Sequence, residues 1–463
     1  MISKNIKNYF KDKKVTVMGL GLLGKRIGDI AFLAEQDAKV LVTDLKPSIA
    51  LRPSLQKLRK YKGIKYVLGK HRMEDFENKD FILKGQGVTL DSPYIEHARK
   101  KGIPIEMDES LFAKLAPDVK IIGVTGTRGK STTTLLIYEI LSSFAKASAG
   151  RRKVGNVYLG GNIKGTAALP LLKKVKKGDT VVFELSSWQL QGFAEAKISP
   201  HIAVFTNFMP DHMNYYQNDP SISLRAGLKR YFGDKAFIYK FQKKGDFIVL
   251  GPSMKGLVKG AKSKIVNANL NNIPKSWNLN LKGSHNLENT ACAVEVARII
   301  KIKDSIIKKA VENFKPIPGR MELVKSVRGI DIYNDTNSCT PEATEVALQT
   351  LGSFPHVRHV GKNIILILGG SDKNLELKNL IKDIKKYTKA VVLIPGEGTK
   401  RLVKKLGGKH ETGKNLEDIV KKSLGLASRG DIVLFSPAFT SFGMFNNEYD
   451  RGDKFMEIVK TLK

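Results

Sequence analysis

Cysteine is nearly absent: Cys292 and Cys339 are the only two in 463 residues. So few exclude a disulfide framework and a thiolate metal site. No apolar run reaches the ~18 residues that a membrane-crossing helix needs. The opening segment, MISKNIKNYFKDKK, is charged and lacks the apolar stretch of a secretion signal. The reading is a cytoplasmic protein without membrane insertion. Acidic residues are scarce too, 44 against 79 Lys and Arg, which leaves a net charge of +35. Such an excess is one mark of nucleic-acid binding. Here the lysines are scattered along the whole chain, in runs such as KKVKK at 173–177, with no basic arm and no arginine–aromatic stripe. A lysine-rich surface serving anionic small-molecule substrates fits better, so nucleic acid is not an expected partner. Internal repeats and low-complexity linkers are also missing.

What is present is a regular alternation of apolar strand-like runs with helical patterns, which predicts α/β architecture with mainly parallel sheets. Three blocks separate at polar or proline-rich stretches: 1–117, 118–316 and 317–463. The first begins with VTVMG (15–19) and the second with IIGVT (121–125). The third begins near KPIPGR (315–320) and holds NIILIL (363–368), AVVLI (390–394) and DIVLF (431–435).

Two glycine loops compete for a nucleotide. In the first block a strand leads into Gly19, Gly21 and Gly24 and then a helix, and the next strand ends at Asp44. Tight turns, close backbone approach and a helix N-terminus make this a diphosphate site. By itself it suggests an NAD-dependent oxidoreductase, although a diphosphate site does not specify nicotinamide. In the second block IIGVTGTRGKSTTT is again strand, loop and helix. The backbone of Gly126 to Lys130 can ring a triphosphate, Lys130 can reach its outer phosphates, and the hydroxyl of Ser131 or Thr132 can bind Mg²⁺. The spacing departs from G-x-x-x-x-G-K-[ST], which would place glycine where Val124 stands. Glu184 closes the strand TVVF and can serve the metal. Another apolar strand leads into Asn207, Asp211 and His212.

Together TGTRGKST, GGNIKG (160–165), ELSSWQL (184–190), NFMPDHMNYY (207–216), GSHNLEN (283–289), PGRME (318–322), YND (333–335) and SPAFTSFGMF (436–445) resemble the Mur ligase family, in order and spacing over nearly the whole chain. These are ATP-dependent amide-forming enzymes of peptidoglycan precursor synthesis. The glycine start, ELSSWQL, LGGSDKN (368–374) and the ending at 441–452 are most similar to the branch that joins D-glutamate to UDP-N-acetylmuramoyl-L-alanine.

The resemblance implies three domains. A Rossmann-like N-terminal domain holds the acceptor's uridine diphosphate, a P-loop ATPase-like central domain holds ATP, and a Rossmann-like C-terminal domain closes over both and carries the amino-acid site. It implies an acyl phosphate made from the acceptor's carboxylate, and a monomer that uses ATP, two Mg²⁺ and a carbamylated lysine. Gly126, Thr127, Arg128, Gly129, Lys130, Ser131 and Thr132 would bind ATP, with Asn286 and Asn289 beside the adenine and Arg320 and Asp335 reaching it from the third domain. Ser131 and Glu184 would hold one metal ion, and His212 with the carbamylated lysine the other. YFGDKAFIY places that lysine at Lys235, with Lys229 the alternative. Gly21, Leu22, Leu23 and Asp44 would face the uridine diphosphate. Asn162, Ser187 and Gln189 would hold the acceptor together with His212. Lys373, Ser441 and Phe442 would surround the incoming glutamate. Lys130, His212, Lys235 and Lys373 would take the catalytic roles.

Some positions depart from the family pattern. Asn337 and Cys339 stand where lysine and threonine are usual, Glu448 where an aromatic is, Asn214 where an acid is, and KGQG (84–87) where the uridine loop reads S-P-G. The changes at Asn337, Cys339 and Glu448 bear on the amino-acid pocket and leave L-glutamate, or another amino acid on the same acceptor, as the rival substrate.

Overall fold

The runs VTVMG, IIGVT, NIILIL, AVVLI and DIVLF all supply strands in the computed structural model. It describes residues 2–21, 24–148, 155–163, 165–217, 219, 221–281, 283–352, 362–372, 374–408, 410–441 and 443–462. Among them, three sheets form. The first contains β1 (Lys14–Met18), β2 (Lys39–Asp44), β3 (Lys65–Leu68), β4 (Phe81–Lys84) and β5 (Ile105–Glu106), in the order β3-β2-β1-β4-β5 and all parallel. The second contains β6 (Lys120–Thr125), β7 (Val157–Gly161), β8 (Thr180–Glu184), β9 (Ile202–Phe205), β10 (Phe247–Leu250) and β11 (Lys264–Asn267), in the order β11-β10-β9-β6-β8-β7, again all parallel. The third contains β12 (Glu322–Val327), β13 (Ile330–Asn334), β14 (Ile364–Gly369), β15 (Thr388–Ile394), β16 (Glu411–Thr412) and β17 (Ile432–Phe435). Its order is β12-β13-β17-β14-β15-β16, with β12 the one antiparallel strand, on the edge.

The central strands are continuous apolar runs because helices cover both faces of a parallel sheet. In β14 every residue is buried, and the side chains divide by parity. Ile364, Leu366 and Leu368 enter the cluster on one face, with Leu348 and Leu393. Ile365 and Ile367 enter the other, with Val392 and Val433.

The chain divides into two compact units, Met1–Leu279 with Ser284–Phe314, and Asn280–Gly283 with Lys315–Lys463. The first unit holds two sheets because one apolar core runs through both, from Phe10, Phe32 and Phe81 to Phe112, Phe183 and Leu190. Phe112 meets Phe183 edge-to-face at 5.4 Å. In both sheets the neighbours of the central strand lie on opposite sides in chain order. A crevice therefore opens beyond the carboxyl ends of β1 and of β6, where ligands bind in such sheets.

Candidate active site

The loop after β6 is shaped by glycines whose neighbours leave no room for a Cβ without shifting. Gly126 has φ 149°, and a Cβ there would meet Thr206 Oγ1 at 1.9 Å. Gly129 caps the helix Lys130–Ala147 in the left-handed region at φ 77°, and a Cβ there would meet Asn289 Oδ1 at 2.1 Å. The loop is stitched to the chain after β9. Thr127 N donates to Asn207 O (3.0 Å) and Arg128 N to Asn207 Oδ1 (2.8 Å). Thr206 Oγ1 donates to Arg128 O (2.6 Å), and Met209 N to Thr127 Oγ1 (3.0 Å). Arg128 Nη1 pairs with Asp211 at 2.7 Å. Lys130 Nζ folds back over the loop to Gly126 O and Thr127 O, both at 3.0 Å. Ser131 and Thr132 open the helix, whose N-terminus directly follows the glycine loop after β6. Helix Ser284–Ile299 packs on that helix. Its Asn289 accepts from Thr133 Oγ1 at 3.3 Å and donates to Asn286 Oδ1 at 3.3 Å, so both asparagines lie against the loop's helix.

Strand pairing brings the acid alongside. Val124 pairs with Glu184 across β6 and β8. Glu184 is buried; its Oε1 accepts from Asn162 Nδ2 at 3.0 Å, and its Oε2 has no hydrogen-bond partner. A buried carboxylate oxygen without a donor, at the end of a strand beside a phosphate-type loop, suits a hard divalent cation. Among the described residues no group of three His, Cys, Asp or Glu is placed to hold a metal on its own. The acid therefore fits a cation that takes its other ligands elsewhere.

Lys235 lies under the same loop. It is 1% exposed, donates from Nζ to Gly126 O at 2.8 Å, and sits 4.7 Å from the Tyr231 ring centroid. Burial, then the charges of Lys130 and Arg128, pushes its amine well below the usual lysine range, and Asp211 opposes this. Lys229, the alternative, is exposed. His212 has φ 57° and packs its ring, tilted by 55°, 4.8 Å from that of Trp188, which follows Ser187 in the helix Ser187–Ala196. A capping box closes that helix: Gln189 N donates to Ser186 Oγ, and Gln189 Oε1 accepts from Ser186 N at 2.8 Å. Ser187 and Gln189 are buried in this first turn.

At the end of β1, Gly19, Gly21 and Gly24 all adopt positive φ, as the tight turn requires. Asp44 does not point away from this loop. Its Oδ2 accepts from Leu20 N (2.8 Å) and Gly21 N (3.2 Å), and its Oδ1 from Lys46 N (2.9 Å). The carboxylate thus holds the loop's shape. Leu22 and Leu23 lie outside the described residues, as do Lys373 and Phe442. In the second unit Asp335 directly follows β13 and is buried. It accepts from Ser338 Oγ (2.6 Å), Ser436 Oγ (2.7 Å) and Met321 N (3.1 Å), and burial pushes its carboxyl up to about 6. Arg320 is exposed beside it, and Ser441 is buried in the segment after β17.

Several residues of the site escape sequence reading. Thr206 is one, and the requirement it places on Gly126 is invisible without the fold. Another is Lys84, buried at the end of β4, with Nζ on Val88 O (2.6 Å) and Gly85 O (3.3 Å); burial and Arg26 push it down to about 8. Its only signal was the odd KGQG loop.

Comparison with known proteins covers almost the whole chain. The Mur ligase MurD-like N-terminal domain matches residues 13–106, the Mur ligase middle domain 124–266, and the Mur ligase glutamate ligase domain 319–439. The UDP-N-acetylmuramoylalanine–D-glutamate ligase of Roseiflexus sp. (strain RS-1) is 33% identical over 97% of this chain and 99% of its own. That of Borreliella burgdorferi (strain ZS7) is 34% identical over 98% of each. Among solved structures, the UDP-N-acetylmuramate-alanine ligase of Thermotoga maritima aligns with a TM-score of 0.60 at 19% identity, over 97% of this chain and 99% of that one. MurF from Acinetobacter baumannii aligns at 0.56 and 14% identity, over 97% and 92%. At such identities these two likenesses speak for the fold.

Proposed function

The chain belongs to the Mur ligase family, and from that premise we propose that it joins D-glutamate to UDP-N-acetylmuramoyl-L-alanine at the expense of ATP, in cytoplasmic peptidoglycan precursor synthesis, as a monomer. The domain limits are 1–117 for the acceptor's uridine diphosphate, 118–316 for ATP and 317–463 for the amino acid. What carries the reading is the convergence at the end of β6: a glycine loop, Lys130 folded over it, Glu184 with an unpartnered oxygen, and a buried Lys235 beneath.

A carboxylate is a poor electrophile, and transfer of the γ-phosphoryl group makes it an acyl phosphate that an amine can attack. The loop amides from Gly126 to Lys130 and the helix end at Ser131 and Thr132 cradle the phosphates. Lys130 swings from its backbone acceptors to the outer phosphates as they arrive. Asn286 and Asn289 flank the adenine, and Arg320 and Asp335 serve ATP from the third domain. Glu184 and Ser131 would hold one Mg²⁺, and His212 and Lys235 would serve the second. Mg²⁺ bound there supplies positive charge against the transferring phosphoryl group. Lys235 would hold its metal through a carbamate: carbon dioxide adds to a neutral amine with loss of one proton, and burial with two cationic neighbours favours the neutral form. Asn162, Ser187, Gln189 and His212 orient the acceptor's carboxyl end. Gly21, Leu22, Leu23 and Asp44 form or shape the diphosphate seat. Lys373, Ser441 and Phe442 receive glutamate's carboxylates.

Phosphate release is expected only with ATP, Mg²⁺, UDP-N-acetylmuramoyl-L-alanine and glutamate all present, with D-glutamate preferred when the enantiomers run side by side. Turnover with L-glutamate alone would assign the chain the rival substrate, and no product with either would overturn the reading. Lys130→Ala should cut turnover by about a thousandfold or more.

A further inference from the structure

Beneath the first glycine loop lies a group of buried charges that the reaction does not use. Lys25 and Arg26 open the helix Lys25–Glu35 directly after Gly24. These are the cations nearest the diphosphate loop in sequence, yet both turn inward. Lys25 Nζ lies 2.9 Å from Asp108 and contacts Glu109. Arg26 lies 3.6 Å from Asp29 and 3.7 Å from Asp108, and donates to Lys84 O at 3.0 Å. Asp29, Asp108 and Glu109 are all 0% exposed. Glu109 Oε1 also accepts from Gln189 Nε2, and Gln189 in turn caps Ser186 at the head of the helix Ser187–Ala196. One oxygen thus takes both donors, one from each side of the seam between the first two sheets. Asp29 Oδ1 crosses the same seam to Leu169 N at 3.1 Å.

Three buried carboxyls against two cations is an unbalanced set, and full ionisation would leave a net negative charge in the interior. Burial and the adjacent Asp108 push Glu109 up to about 7 and hold Asp29 well above the usual carboxylate range. A stability device would be served better by apolar packing, as in the core on either side.

We propose that Glu109 is a positioning residue that ties the acceptor's diphosphate loop, through Lys25, to the first turn of the helix Ser187–Ala196, through Gln189. A substrate that seats its diphosphate against the loop then sets the position of Ser187, Gln189 and their neighbour Trp188. The proposal rests on the ligase reading.

The test uses the full-length enzyme. Glu109→Ala breaks both arms, and should lower kcat about 10- to 100-fold, the scale on which small misplacements act, and raise the acceptor's KM while leaving that of ATP unchanged. Glu109→Gln keeps an acceptor oxygen for both donors and should stay within about threefold of wild type on that same scale. A residue that merely kept the protein folded would change the active fraction and neither KM. The second readout is Trp188 emission in a Trp277→Phe background, with uridine diphosphate as the probe. The probe should shift the emission in wild type and in Glu109→Gln, and leave it unmoved in Glu109→Ala and in Lys25→Met, which cuts the loop arm alone and serves as the test if Glu109→Ala does not fold. Calorimetry that found no uridine diphosphate binding would overturn the ligase reading and the proposal with it. Binding with unshifted emission in wild type, or Glu109→Ala indistinguishable from wild type, would overturn the positioning role alone.

Discussion

Asp335 illustrates how one residue couples burial to pH. Enclosure holds its carboxyl at about 6 against an ordinary 3.8, despite two serine hydroxyls and a backbone N–H donating to it. Below the lower value both folded and unfolded chains keep the proton. Above the upper value neither does, and the folded chain then carries a buried charge. Between them only the folded chain is protonated, so stability falls as pH rises from about 4 to about 6, by about 3 kcal/mol. Asp335→Asn, which keeps the shape, should remove that slope; urea unfolding of wild type and variant across the window would check it, and parallel curves would refute it. The aspartate itself was legible in Y-N-D. Its enclosure was not, because Ser338 and Ser436 come from opposite ends of the third block.

At the scale of elements, the phosphate loop is defined by what it excludes. Gly129 needs both a left-handed backbone and room for Asn289, a residue 160 positions away in sequence. Gly129→Ala should therefore cost about 1–3 kcal/mol in backbone strain alone, and displace Asn289 from Thr133. Nucleotide titration should find ATP affinity lost, with acceptor binding retained; unchanged ATP affinity would show that the loop tolerates the side chain. The sequence marked this loop by its glycines and lysine. It could not mark Thr206, because a threonine after an apolar strand carries no signal until the strands are paired. Glu109 was hidden for a related reason: Asp108 and Glu109 in a first helical turn read as ordinary partners of the helix dipole.

For the whole molecule, the first two sheets share a core and the third has its own two clusters. Residues 1–314 expressed alone should unfold in one cooperative transition and bind ATP without any ligase turnover. Two separate transitions would mean that the shared core does not couple the first two sheets. The sequence by itself determined the α/β class, the two glycine loops, the acid at the end of β8 and the family, since strand periodicity and loop chemistry are local and survive as motifs. It also pointed to Lys235 without separating it fully from Lys229. The tertiary structure decided which lysine is buried, that Asp44 braces its loop, and that the first two sheets close around one core. Burial and charge balance are properties of residues distant in the chain, and they exist only once folding has brought those residues together.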